Sequence, residues 1–108
     1  MSHVRVTVIK PKPGMTHEAI DCLREIDNLF AQQPGLVMSF VFSPNAQGVG
    51  PLGRVAVWET EGAANQIAVT ERALALRSRM RRLADEDVVE TLAQVVNSHY
   101  LAPAVALR

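Results

Sequence analysis

Period-two and helical apolar spacings alternate along only 108 residues, in the order strand, helix, strand, strand, helix, strand. That order closes a small four-stranded sheet with its helices on a single face. The opposite face is left apolar and without cover. It also sets the lone tryptophan, Trp58, where the third strand hands over to a helix.

The segment His3-Val4-Arg5-Val6-Thr7-Val8-Ile9 alternates strictly and predicts the first strand. Lys10-Pro11-Lys12-Pro13-Gly14 breaks it, because proline cannot donate to a ladder. Thr16 suits an N-cap, and Ala19, Leu23, Ile26 and Phe30 recur at helical spacing until Pro34-Gly35. Leu36 to Phe42 is the second strand, with Leu36, Met38, Phe40 and Phe42 on one face and Val37, Ser39 and Val41 on the other. A glycine- and proline-bearing loop leads from Ser43 to the third strand, Arg54 to Thr60. Glu61 to about Ala84 reads as a helix in two pieces, with Thr70 capping the second and Leu74, Leu76, Met80 and Leu83 as its apolar positions. Residues 88–96 fit a helix or a strand. The alternation from Glu90 to Tyr100, rich in valine, favours a strand.

The length is that of a single domain over residues 1–108, with room for one modest core. Eleven basic and eleven acidic side chains cancel, so no global field favours nucleic acid or anionic lipid. One cysteine, Cys22, excludes an internal disulfide and makes a reducing cytoplasm the natural setting. No apolar run approaches the roughly 18 residues of a membrane span. Three histidines and one cysteine show none of the usual metal-ligand spacings, so no metal is expected.

The element order is the ferredoxin-like βαββαβ arrangement, an α+β fold with an antiparallel four-stranded sheet. The uncovered sheet face, carrying Val37, Val41 and Ala56 or their alternates, calls for a two-fold homodimer with sheets packed face to face. An N-terminal strand, Pro-Gly closing the first helix, the stretch GRVAVWETEGAA and an Arg- and Leu-rich helix after it together resemble the antibiotic biosynthesis monooxygenase family. That family is a branch of the dimeric α+β barrel superfamily. The likeness covers roughly residues 3–101. It implies a cofactor-independent monooxygenase, in which a reduced aromatic such as a quinol, anthrone or polyketide itself supplies the electrons to molecular oxygen. No cofactor is implied. Two departures stand out. Ile67 and Ala68 occupy the helix stretch where members often carry a histidine, and the first strand holds no asparagine. Both argue against the haem-degrading branch, and the missing histidine weakens the quinol reading too.

Trp58 can stack on a flat ligand and donate its indole N–H, with Phe40 and Phe42 completing an apolar wall. Its alternative is a core residue anchoring strand to helix. His99 is the candidate base for a phenol, close to His3 if the first and last strands pair; both are otherwise exposed edge residues. Asn65, at the opening of a helix, can hold a carbonyl oxygen or stand as ordinary surface polarity. The arginine-rich helix raises the alternative of nucleic-acid binding. However, Arg81 with Asp85 and Arg82 with Glu86 are expected to pair at four-residue spacing, leaving Arg77 to reach a ligand oxygen. A non-catalytic, ligand-binding or stress-related dimer on the same scaffold is the competing reading.

Overall fold

The structure, a computed structural model, describes residues 2–99. Its elements are β1 (His3–Ile9), α1 (Thr16–Phe30), β2 (Leu36–Phe42), β3 (Leu52–Trp58), α2 (Glu61–Ala68), α3 (Glu71–Leu83) and β4 (Val89–Gln94). The strands form one antiparallel sheet in the order β2-β3-β1-β4, with the helices on one face, which is the ferredoxin-like arrangement.

The core lies between that face and the helices. β3 contributes Leu52, Ala56 and Trp58, all buried. Cys22, Leu23, Ile26 and Phe30 of α1 pack on them, with Leu76 and Met80 of α3. Gly53 lets β1 and β3 come together, because a Cβ there would run into the Thr7 carbonyl oxygen.

β2 departs from simple alternation. Leu36 pairs with Trp58 and Met38 with Val57, so Val37 is one residue too many for the ladder. This bulge switches the phase of the strand. Leu36 stays on the core side, while Met38, Phe40 and Phe42 turn to the open face beside Val55, Val57 and Gly53. Val41 and Ala56, expected among the alternatives for the open face, sit on the helix side instead. Val4, Val6 and Val8 of β1 complete an apolar centre on the open face, where Phe40 is 45% exposed.

Four local expectations are corrected. Thr16 is the first helical residue of α1 and makes no capping bond. β4 is six residues long, shorter than the alternation suggested, and Tyr100 lies outside the described residues. As an edge strand it pairs only with β1, and its last main-chain tie runs from the Val95 N–H to the Ser2 carbonyl. Leu74 is exposed, and Ala73 takes its place in the core. Arg81 and Arg82 do not form the expected four-residue pairs, because α3 ends at Leu83 and Asp85 and Glu86 lie beyond it. Glu86 pairs with Lys10 instead, and Arg82 bonds the Ser78 hydroxyl. Arg72 and Arg79 both reach Glu25 of α1, so much of the arginine helix is used in helix-to-helix pairing. The break between α2 and α3 is where it was expected, with the Thr70 hydroxyl accepting from the Ala73 N–H. No helix among the described residues is long and apolar enough to cross a membrane.

Candidate functional site: a cavity beneath the helices

Strand pleating puts Arg54 and Trp58, four residues apart on β3, on the same core-facing side. Trp58 is fully buried and meets Phe30 edge-on, with ring centroids 6.0 Å apart. The Arg54 guanidinium lies 4.8 Å above the same Phe30 ring. Its Nε donates to Asp27 Oδ1 at 2.9 Å. Only 6% of Arg54 is exposed. Burial pulls its proton affinity down, and the Asp27 carboxylate pushes it back up.

These residues edge a cavity of about 40 Å³ between sheet and helices. Its apolar wall is Leu23, Ile26, Phe30, Trp58, Ala68 and Met80. Its polar lining is Arg5 and Thr7 of β1, Arg54 of β3, Arg77 of α3 and Glu90 of β4. Among the described residues, Arg54 Nη2 and Trp58 Nε1 are buried donors with no hydrogen-bond partner. Buried donors are normally satisfied, so two of them on one cavity mark a place for an acceptor.

The flanking polar groups are organised. Arg77 Nη2 donates to Glu90 Oε2 at 2.7 Å, tying α3 to the edge strand. Arg5 Nη2 donates to Asn65 Oδ1, and Arg5 Nε donates to His3 Nε2 at 3.0 Å. Neither partner of Arg5 is a carboxylate.

The sequence candidates divide accordingly. Trp58 and Arg77 line the cavity, and Asn65 reaches it through Arg5. Phe40 and Phe42 do not join Trp58, because the Val37 bulge turns them through to the opposite face of the sheet. His99 is exposed, five residues past the end of β4, and is not among the cavity residues. The first and last strands, β1 and β4, do pair, yet His3 faces Gln94 in that register. Arg54, Asp27, Arg5 and Glu90 were not singled out. The readable signal was Arg54, the one charge on the core face of β3, in phase with Trp58.

The cavity is small. It holds a water or two at roughly 30 Å³ each, against the roughly 300–1,000 Å³ of ordinary ligand clefts. Ile67 and Ala68, both buried on α2, supply no iron ligand, so the residues present do not fit haem. Among the described residues, no group of three or more side chains is placed to hold a metal ion.

The four-stranded antiparallel sheet with helices on one face is a fold shared with solved structures that include an antibiotic biosynthesis monooxygenase. The chain is similar to Rv0793 from Mycobacterium tuberculosis, with a TM-score of 0.81 at 14% identity over 93% of this chain and 100% of that one. It is also similar to a variant of SnoaB, a cofactor-independent oxygenase from Streptomyces nogalater, with a TM-score of 0.77 at 18% identity over 90% and 95%. A third likeness is to an antibiotic biosynthesis monooxygenase, with a TM-score of 0.74 at 18% identity over 90% and 100%. No protein-family model matches the sequence, and no curated protein does. At these identities the likeness establishes the fold.

Proposed function

We propose that this protein is a cofactor-independent monooxygenase acting on a reduced aromatic such as a quinol, anthrone or polyketide. The observation that carries the reading is the pair of buried, unsatisfied donors, Trp58 Nε1 and Arg54 Nη2, on two residues that line one cavity, in a fold shared with a cofactor-independent oxygenase. In this reading the two donors hold an oxygen of the substrate and stabilise the charge that grows on it as a proton leaves. Glu90, on the same cavity, accepts that proton. The electron-rich anion then reduces oxygen. In an anthrone the ring methylene loses two hydrogens and gains one oxygen atom as a carbonyl, and the second oxygen atom leaves as water. The methylene supplies all four electrons, so no further reductant is required. Arg77 orients Glu90, and Asn65 orients Arg5.

A ring system does not fit about 40 Å³, so the cavity enlarges on binding. In this reading α2 is the part that moves, with Val69 and Thr70 as its joint to α3 and Ala68 as its contribution to the lining. The functional unit in this reading is a homodimer through the apolar open face of the sheet.

The test is oxygen uptake with a panel of quinols and anthrones. Trp58→Phe and Arg54→Met are expected to lower kcat/KM at least about tenfold, the effect of losing one donor to a developing oxyanion. Full turnover by both variants ends this reading. Saturable ligand binding with no oxygen uptake supports the second one, a non-catalytic ligand-binding dimer, which the absence of a histidine at Ile67 and Ala68 favours.

A further inference from the structure

The charges around the cavity do not balance. Arg5, Arg54 and Arg77 bring three guanidinium groups. Two carboxylates answer them: Asp27 bonded to Arg54, and Glu90 bonded to Arg77. Among the described residues, Arg5 is bonded only to the Asn65 amide oxygen and to His3 Nε2, neither of them a carboxylate. One positive charge is therefore in excess at the cavity.

The hydrogen-bonding character points the same way. Arg54 is fixed on two sides, by the Phe30 ring and by Asp27 on its Nε, while its Nη2 remains free. Trp58 Nε1 can only donate. Glu90 is the one carboxylate among the lining residues, and its Oε2 is already held by Arg77 Nη2. A group facing donors from two directions must accept from both, and a carboxylate or phenolate oxygen does so without a proton to misplace.

We infer that the cavity selects its ligand as an oxyanion, seated between Arg54 Nη2 and Trp58 Nε1 with Arg5 as the uncompensated cation. The substrate class is thus the flat aromatic that carries a carboxylate or enters as its phenolate, in preference to a neutral ring. This rests on the reading of the cavity as the ligand site and narrows what that site accepts. The volume of about 40 Å³ suits a small charged head, and the ring follows it as the helices give way.

The experiment is calorimetric titration of the full chain with matched probes. Benzoate and its neutral isostere benzamide test the carboxylate. 4-Cyanophenol below and above its own ionisation tests the phenolate. At least one anion is expected to bind tenfold or more tightly than its neutral counterpart, and which one does so identifies the source of the charge. Arg54→Met is expected to abolish the preference. Arg5→Gln, at the cavity rim, is expected to reduce it several-fold and keeps the inference testable if Arg54→Met fails to fold. Equal affinity for charged and neutral probes, or a preference untouched in folded Arg5→Gln, overturns the inference. Oxygen uptake is measured separately on reduced aromatics with and without a carboxylate. Turnover with no anion preference defeats the inference alone. Anion preference with no turnover defeats the monooxygenase reading alone.

Discussion

Arg54 and Asp27 make a buried ion pair across the sheet–helix boundary, at 2.9 Å, with side-chain exposures of 7% and 22%. Removing one member of such a pair strands the other. Asp27→Ala leaves the guanidinium desolvated and without its carboxylate, and should cost about 3 kcal/mol, the low end for a broken buried pair because Asp27 retains some water contact. For a domain of this size that lowers Tm by about 12–24 °C. Arg54→Met leaves only the better hydrated Asp27 unpaired and should cost less. Thermal unfolding of both variants checks the order.

Gly53→Ala tests the close approach of β1 and β3. The backbone there is not left-handed, so the cost comes from space alone. A methyl would meet the Thr7 carbonyl and the Phe42 ring, and a paired carbonyl cannot step aside without loosening the ladder. A loss of about 2–3 kcal/mol is expected from overpacking. Urea denaturation measures it, and an unchanged midpoint would show that the strands have slack at this register.

Phe40→Lys probes the open sheet face. An ammonium in the middle of an apolar contact must be desolvated without a partner. Sedimentation equilibrium should therefore report at least about a hundredfold weaker self-association, the effect of roughly 3 kcal/mol. Unaltered association at all concentrations would place the contact elsewhere.

Cys22 offers a pH test. Its thiol is buried and donates to the Leu76 carbonyl, and burial pushes its pKa above the ordinary thiol value. The stability this contributes is complete below about pH 8.5, the ordinary value in an unfolded chain. It declines as pH rises above that value, because the unfolded chain then binds fewer protons than the folded one. Denaturation midpoints at pH 7.5 and 9.5 should diverge less for Cys22→Ala than for the parent.

The element order was legible because each strand and helix repeats its own apolar period, as β1 does through Val4, Val6 and Val8. Trp58 and Arg77 were legible as candidates because an aromatic at a strand end and an arginine without an obvious partner stand out. Phe40 and Phe42 were misassigned for a definite reason. Both faces of β2 are apolar, and a bulge at Val37 leaves no mark in composition. His99 was misjudged because alternation continues past the point where β4 pairs with β1. The Arg54–Asp27 pair joins positions 27 residues apart on different elements, and local spacing carries no information about such a contact.

The extra residue at Val37 also makes the two surfaces of β2 interchangeable by a one-residue slip of the pairing with β3. Drawing Val37 into the ladder opposite Val57, while Leu36 stays opposite Trp58, would restore strict alternation and roll Phe40 and Phe42 under the helices. Ser39 and Val41 would be sent outward. A lineage carrying this sheet could therefore trade its apolar open face for an enlarged aromatic chamber through a one-residue slip of pairing, without a substitution in either phenylalanine.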